Sequence, residues 1–388
     1  DTFWTTDWGK KRWRGDSPIE EDIRRLTDAQ LWQMRTEERK TWIERMRKRY
    51  ARQLAAEGGT PADASGIFDE NVLTLGFARR FATYKRPNLL LHDPKRLVRL
   101  LSDPQRPVQL ILAGKAHPQD LPGQALVKEW NDFLKRPEGR GRGVFLSDYD
   151  MLLAQELVQG IDLWINTPRR PWEACGTSGM KVLVNGGLNL SELDGWWAEA
   201  YSPEVGWAIG DGKEHGEDPA WDAQEAEALY ALLEREVIPQ FYERDGNGMP
   251  SKWLHRIRES MARLTPEFSA TRAIREYTED YYLPAASDYG DRAADDSALG
   301  TSVLQWQLDI ARHWNTVRFG GLNIETHEGR HSFRVEVFSG DLRPDQLKVE
   351  LYANPLGKDS PDLEAMTACK DCAAPAGRLI YSADIAAT

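Results

Sequence analysis

The sequence is poor in cysteine, with three in 388 residues. Three thiols cannot build a disulfide framework, so a reducing compartment, the cytoplasm, is the expected location. Long apolar runs are also missing. The best, around Val108–Ala113, falls well short of the roughly 18 residues a membrane helix needs and suits a buried strand. Nor is there a basic excess: 50 Lys and Arg against 61 Asp and Glu leave a formal charge of −11, which argues against general nucleic-acid binding. No internal repeat is visible. What remains is an ordinary globular composition, 41% hydrophobic and 29% charged, long enough for about two to three domains. Tryptophan is the exception. Its fifteen residues belong mostly in cores and interfaces, though their flat faces also suit sugar sites.

Residues 1–67 read as helical and polar, with Ile23, Leu26, Trp32, Trp42, Ile43, Met46 and Tyr50 roughly on one face. This segment is too thin to be a domain, and it is expected to be the tail of one that lies upstream. From residue 68 the pattern changes. Val72–Ala78, Val108–Ala113, Val144–Ser147, Ile161–Asn166 and Gly187–Leu190 are short β-rich runs separated by helical stretches. Such alternation predicts a doubly wound parallel α/β sheet over 68–285, including closing helices in 221–282. Ligands then belong beyond the carboxyl ends of the strands, in the loops after Ala78, Ala113 and Asn166. Residues 286–300, rich in Pro, Ala, Asp, Ser and Gly nearby, read as a linker. A short helix near Val303–Trp314 follows. Strict alternation in Phe333, Val335, Val337 and in Leu347, Val349, Leu351 then predicts a small antiparallel β accessory domain over 301–388.

Two metal-like patterns fail on context. His327–Glu328–Gly329–Arg330–His331 matches the zinc-protease signature, which works only where both histidines share a helical face. Here Glu328–Gly329 is expected at a hairpin tip. Cys369 and Cys372 form one C-x-x-C without a second pair, so half of an all-cysteine zinc site is missing, and two thiols in a loop is the plainer reading. No metal site is expected.

Two other segments carry more. Gly76–Phe77–Ala78–Arg79–Arg80–Phe81–Ala82–Thr83–Tyr84–Lys85–Arg86 places a basic cluster at a predicted strand end, where an anion would relieve its self-repulsion. The alternative is a solvated basic turn. Trp172–Gly186 (WEACGTSGMKVLVNG) puts a small, Gly-rich turn ahead of a short apolar helix, an arrangement that can receive an anion on backbone N–H groups. Lys181 stands within that helix. Walled by Met180, Val182 and Leu183, it would have a depressed pKa suited to Schiff-base chemistry; the alternative is a lysine reaching out to solvent.

These segments, together with Ala113–Gly114–Lys115–Ala116, Tyr149–Gln155 and Asn189–Trp197 (NLSELDGWW), resemble the C-terminal half of the α-glucan (glycogen/maltodextrin) phosphorylases, in their bacterial and archaeal branch. Trp253–Tyr282 is similar to the helices that close that half. The likeness runs over roughly 68–285 with motifs in order. It implies the second Rossmann-like domain of a GT-B type glycosyltransferase, phosphorolysis of α-1,4-glucan with retention to give glucose 1-phosphate, and pyridoxal 5'-phosphate as cofactor.

Carried over position by position, the resemblance assigns the cofactor lysine to Lys181 and the cofactor-phosphate contacts to Thr177, Ser178 and Gly179. Arg79 stands where many members have a Lys facing that phosphate, a departure that keeps the charge. Tyr149 falls near the pyridine ring. Glu173 would bind the glucosyl unit, with the amides of Cys175 and Gly176 on sugar hydroxyls, and Arg80 and Lys85 would hold the substrate phosphate. Inorganic phosphate, α-glucan and an upstream Rossmann-like domain are the implied partners. Because the cleft of such enzymes also takes residues from that upstream domain, the chain by itself is expected to be weak or inactive.

Two rivals remain open on sequence. Sugar-nucleotide glycosyltransferases of the same architecture share the Arg and Lys five apart, but place a second Glu eight residues after the first. Here that residue is Lys181. The other rival is a cofactor-binding remnant without turnover.

Overall fold

The computed structural model describes residues 19–139, 141–354, 360–369 and 377–386. The chain divides into two compact units, Asp1–Arg275 and Glu276–Thr388.

The first unit is built on six strands: β1 (Leu73–Ala78), β2 (Val108–Ala113), β3 (Gly143–Leu146), β4 (Leu163–Asn166), β5 (Leu188–Glu192) and β6 (Gly206–Ile209). All neighbours pair in parallel, in the order β3-β2-β1-β4-β5-β6. The chain therefore runs outward from β1 in one direction and then restarts beside it at β4. That reversal is the switch point at which doubly wound sheets leave a crevice. The five predicted strands are all present. Strand β6 was not anticipated, because its four residues, Gly-Trp-Ala-Ile, are too few to show a period.

Every residue of β1 and of β2 is buried, as expected for a parallel sheet covered on both faces. Alternate residues feed two separate cores. Leu73, Leu75, Phe77, Leu110, Leu112, Leu163 and Ile165 pack on one face with the helices Leu121–Lys135, Pro219–Leu232 and Ser251–Glu267. Ala78, Ile111, Ala113, Val144, Leu146 and Trp164 pack on the other with Met151–Gly160 and Asp28–Ala56. Two glycines set the spacing of this second face. A Cβ on Gly76 would stand 2.2 Å from Ile161, and one on Gly160 would stand 2.0 Å from the Trp42 ring.

The helix Asp28–Ala56 starts at a reciprocal Thr27–Gln30 capping box. It packs directly on the sheet of the first unit. Trp42, Ile43 and Met46 lie in the second core. The fully buried Arg35 donates to the carbonyls of Gln159 (2.7 Å), Asn185 (2.7 Å) and Ile161 (3.0 Å), and to Asp162 (3.1 Å). Asp162 in turn accepts the Thr74 N–H at 3.1 Å. Burial pulls the Arg35 pKa below its ordinary value, with the Asp162 charge opposing it. These five hydrogen bonds link the helix to the chain around the switch point. A sequence window shows only its charged face.

In the second unit the expected linker, 286–300, is helical. It lies in the helix Leu283–His313, broken only at Ala294–Ser297, where Asp295, Asp296 and Ser297 take positive φ. The composition misled because Pro284 occupies the first turn, a position helices tolerate, and Ala favours helix. A hairpin follows, β7 (Arg318–His327) and β8 (Arg330–Phe338). β8 pairs with Arg378–Ala386, and Val335, Val337, Val349, Met366 and Tyr381 form a small core. Glu328 and Gly329, both at positive φ, make the hairpin tip. His327 pairs across the strands with Arg330, and Thr326 with His331. Adjacent cross-strand pairs face opposite sides of a sheet, so the two histidines diverge. Cys369 is disulfide-bonded, against the reading of two thiols; Cys372 lies outside the described residues. No described helix is long and apolar enough to cross a membrane.

Candidate functional site

The site begins where β1 ends. Arg79 continues the ladder, its N–H donating to Ala113 O at 3.1 Å, and the chain then turns back through a short 3-10 helix, Thr83–Lys85. The loop after β4 meets it. Thr167 Oγ1 donates to the carbonyls of Lys85 (3.2 Å) and Arg86 (3.0 Å), and the Arg169 N–H donates to Tyr84 O at 2.6 Å. Loops from β1 and β4 therefore face each other across the switch point, at the carboxyl edge where the sequence placed them.

Their charged groups converge on Glu173. Its Oε2 accepts from Lys85 Nζ at 2.8 Å and lies 3.1 Å from Arg79 Nη1, with all three side chains 10% exposed or less. The Glu173 N–H is fixed by Asp194 Oδ2 at 2.8 Å. Arg79 pairs in charge only: its buried Nε and Nη1 have no hydrogen-bond acceptor. Burial lowers its pKa, opposed chiefly by Glu173. Tyr149 donates to Ala78 O at 3.3 Å, and burial raises its pKa against the Arg79 charge. Arg80 is exposed and donates to the Tyr84 hydroxyl at 3.0 Å. Burial would raise the Tyr84 pKa, but hydrogen bonds from Arg80 and Lys85 outweigh it and hold it low.

The Gly-rich turn lies next in the chain. Gly176 takes φ +87°, a left-handed backbone suited to glycine. A Cβ on Gly179 would stand 2.6 Å from Asn189 Oδ1 and 2.8 Å from Trp196, so the helix Ser178–Leu183 approaches β5 as closely as backbone allows. Cys175 is a free thiol whose pKa is raised by burial and then by Glu199 and Glu173. Its carbonyl accepts the Trp196 N–H at 2.9 Å. The Gly179 amide is already engaged by Gly176 O at 3.2 Å. Thr177 is exposed and Ser178 half-buried.

Lys181 does not stand as its sequence neighbours suggested. Val182 and Leu183 are buried but Lys181 is exposed, because consecutive helix residues point to different faces. The apolar wall is absent. Arg79, Arg80, Lys85, Glu173 and Tyr149 are brought together at the strand end: Glu173 joins Arg79 and Lys85, Tyr84 joins Arg80 and Lys85, and Tyr149 lies near Arg79. Cys175, Gly176 and Thr177 form the turn that follows Glu173, and Ser178, Gly179 and Lys181 lie in the short helix it opens.

Sequence reasoning missed Arg86, one residue beyond Lys85. It is buried at φ +41°. Its guanidinium donates to Thr167 O (3.0 Å), Pro168 O (2.9 Å), Asp222 (2.9 Å) and Glu192 (3.2 Å), and pairs with Glu225. Arg169 adds a two-pronged pair to Asp222 at 2.7 and 2.5 Å. Burial, then the charge of and hydrogen bond with Glu225, push the Glu192 carboxyl up to about 9 against the pull of Arg86. The acidic partners lie over a hundred positions away, which hides the cluster from any local window.

Fold and site together define a doubly wound α/β protein with two cations paired to one buried carboxylate at its switch point. The carbohydrate phosphorylase family profile matches residues 5–206, more than half the chain, and the chain belongs to that family. It is 41% identical over 389 aligned positions to a glycogen phosphorylase of Mycobacterium bovis, covering 92% of this chain and 44% of that protein. It is 44% identical to a glycogen phosphorylase of Aquifex aeolicus, over 69% of this chain and 39% of that one. A maltodextrin phosphorylase of Thermococcus litoralis is 36% identical over 85% of this chain and 38% of its own length. The chain thus spans less than half the length of these relatives.

Proposed function

We propose that the chain forms the phosphate- and cofactor-binding half of an α-1,4-glucan phosphorylase, a retaining glycosyltransferase of GT-B type. The reaction converts glucan and inorganic phosphate to glucose 1-phosphate and a shortened glucan. The observation that carries this reading is the convergence of Arg79 and Lys85 on one buried carboxylate at the switch point. Two cations share a single counter-charge, and Arg79 has two buried nitrogens without hydrogen-bond acceptors. Such a cluster is short of negative charge and of oxygen atoms, and a phosphate dianion supplies both.

In this reading Arg80 and Lys85 hold the substrate phosphate. As its charge takes over the neutralisation of Lys85, the Glu173 carboxylate becomes available to accept hydrogen bonds from glucosyl hydroxyls. The amides of Cys175 and Gly176 donate to the same sugar. The fixed positive charges face the phosphate that attacks the anomeric carbon, so they stabilise the transition state without having to reorganise. Pyridoxal 5'-phosphate fits beside them: the unsatisfied Arg79 nitrogens would face its phosphate, Thr177, Ser178 and Gly179 would line it, Tyr149 would flank its ring, and exposed Lys181 would hold it covalently. When bound, the cofactor supplies a phosphate group that exchanges a proton with the substrate phosphate. The exposed side of the site, including Lys181, is where an upstream Rossmann-like domain would close the cleft and exclude water. A cytoplasmic location suits these substrates.

The test is formation of glucose 1-phosphate from maltodextrin and inorganic phosphate by the complete enzyme. Arg80→Ala and Lys85→Ala should each weaken phosphate use by about 2 kcal/mol or more, non-additively because both hold one anion. Unchanged phosphate kinetics in both variants would refute the assignment.

A further inference from the structure

Arg86 has no role in the reading above, yet it is a heavily bonded, buried side chain beside the site. Its guanidinium reaches the carbonyls of Thr167 and Pro168 at the end of β4 and three carboxyl groups, those of Asp222, Glu225 and Glu192. These come from three separate stretches of chain: the β4 loop, the end of β5, and the helix Pro219–Leu232, which supplies two of the partners. The residue's own backbone sits at φ +41°, which a branched or long side chain adopts only when its surroundings hold it there. Immediately before it stands Lys85, and the carbonyls of both residues accept from Thr167 Oγ1.

We propose that Arg86 is a positioning residue for phosphate: clamped by Asp222, Glu225 and Glu192, it locks the 79–86 loop onto the β4 loop and so fixes where Lys85 Nζ stands relative to Glu173. The inference rests on the proposed phosphate role of Lys85. The bonds named for the Arg86 guanidinium go to the β4 loop, Asp222, Glu225 and Glu192 and not to Glu173, so it acts through backbone placement and not by touching the anion.

Two features separate this from simple core packing. The contacts demand a planar fork, because one guanidinium serves two carbonyls and three carboxyl groups at once, and a lysine ammonium cannot reproduce that set. They also join the two loops that carry Lys85 and Glu173, so slackening them disturbs the spacing of those two groups ahead of the sheet.

The experiment measures inorganic phosphate binding by isothermal titration, alongside the thermal melt, for the full chain and for Arg86→Lys, Thr167→Val and Lys85→Ala. Arg86→Lys keeps the charge opposite the carboxyl groups; Thr167→Val removes only the hydroxyl that holds the Lys85 and Arg86 carbonyls. The expected result is at least tenfold weaker phosphate binding in Arg86→Lys with a cooperative melt, and a smaller loss in the same direction in Thr167→Val. Should Arg86→Lys fail to fold, the Thr167→Val comparison decides alone. Wild-type phosphate affinity in a folded Arg86→Lys, or in Thr167→Val if that variant alone folds, overturns the proposal while Lys85→Ala still weakens binding. Phosphate binding that is indifferent to Lys85→Ala instead overturns the underlying site assignment.

Discussion

Replacing Glu173 with Gln removes one charge and almost no volume, so its consequences are electrostatic. In the structure that carboxylate is the shared counter-ion of Lys85 at 2.8 Å and Arg79 at 3.1 Å, all three nearly buried. Breaking a buried pair by neutralising one partner costs about 3–5 kcal/mol, mostly because the remaining charge stays desolvated. Here two cations are stranded, but Arg79 and Lys85 keep 10% and 9% of their side chains exposed, so the lower end, about 3 kcal/mol, is the expectation. At 2–4 °C per kcal/mol for a unit of this size, that is a fall in Tm on the order of 10 °C. Inorganic phosphate should then rescue the variant. Without the competing carboxylate the anion binds more tightly, and ligand at about 100 times its Kd returns roughly 2.7 kcal/mol. The assay is differential scanning calorimetry of wild type and Glu173→Gln across a phosphate series, with chloride at matched ionic strength as control. A variant as stable as wild type, or an equal phosphate shift in both, would refute the counter-ion argument.

Further outcomes follow from the same structure. Glu192 has its carboxyl raised from 4.5 to about 9, so the folded chain keeps a proton that the unfolded chain releases between those values. Its stabilising share is complete below about pH 4.5 and lost as pH rises toward about 9, and Glu192→Gln should flatten a urea-measured stability slope of at most about 1.4 kcal/mol per pH unit. Gly160→Val pushes a side chain into the Trp42 ring and should cost about 1–3 kcal/mol or more by chemical denaturation, releasing the helix Asp28–Ala56 from the sheet; an unchanged midpoint would contradict that packing. The hairpin should take up no zinc, and metal analysis finding a stoichiometric ion lost in a His327→Ala, His331→Ala double variant would contradict the divergent histidines.

How much of this was legible in the sequence depended on how local each signal was. The strands β1, β2 and β4 are short, mostly apolar runs in a parallel sheet, and their carboxyl ends direct attention to Arg79, Lys85 and the turn after Trp172. The Glu328–Gly329 tip could likewise be read from residue type alone. Lys181 was misjudged because chain neighbours were taken for spatial neighbours; one helical step turns it away from Val182. The helix Asp28–Ala56 was underestimated because Arg35 and Arg39 look like surface charges until Asp162, far along the chain, is brought beside them. Arg86 was passed over for the same reason. Its meaning lies in Glu192, Asp222 and Glu225, and no period or motif links those positions.

The central claim is that this chain builds a pyridoxal 5'-phosphate site on the Gly176–Lys181 turn beside the cationic end of β1. Loading the chain with the cofactor, reducing with borohydride and mapping the label by peptide mass spectrometry tests it directly. The account predicts a single pyridoxyl group on Lys181, with loading weakened by Arg79→Ala. A label spread over exposed lysines, or carried by a different residue at full occupancy, would contradict it.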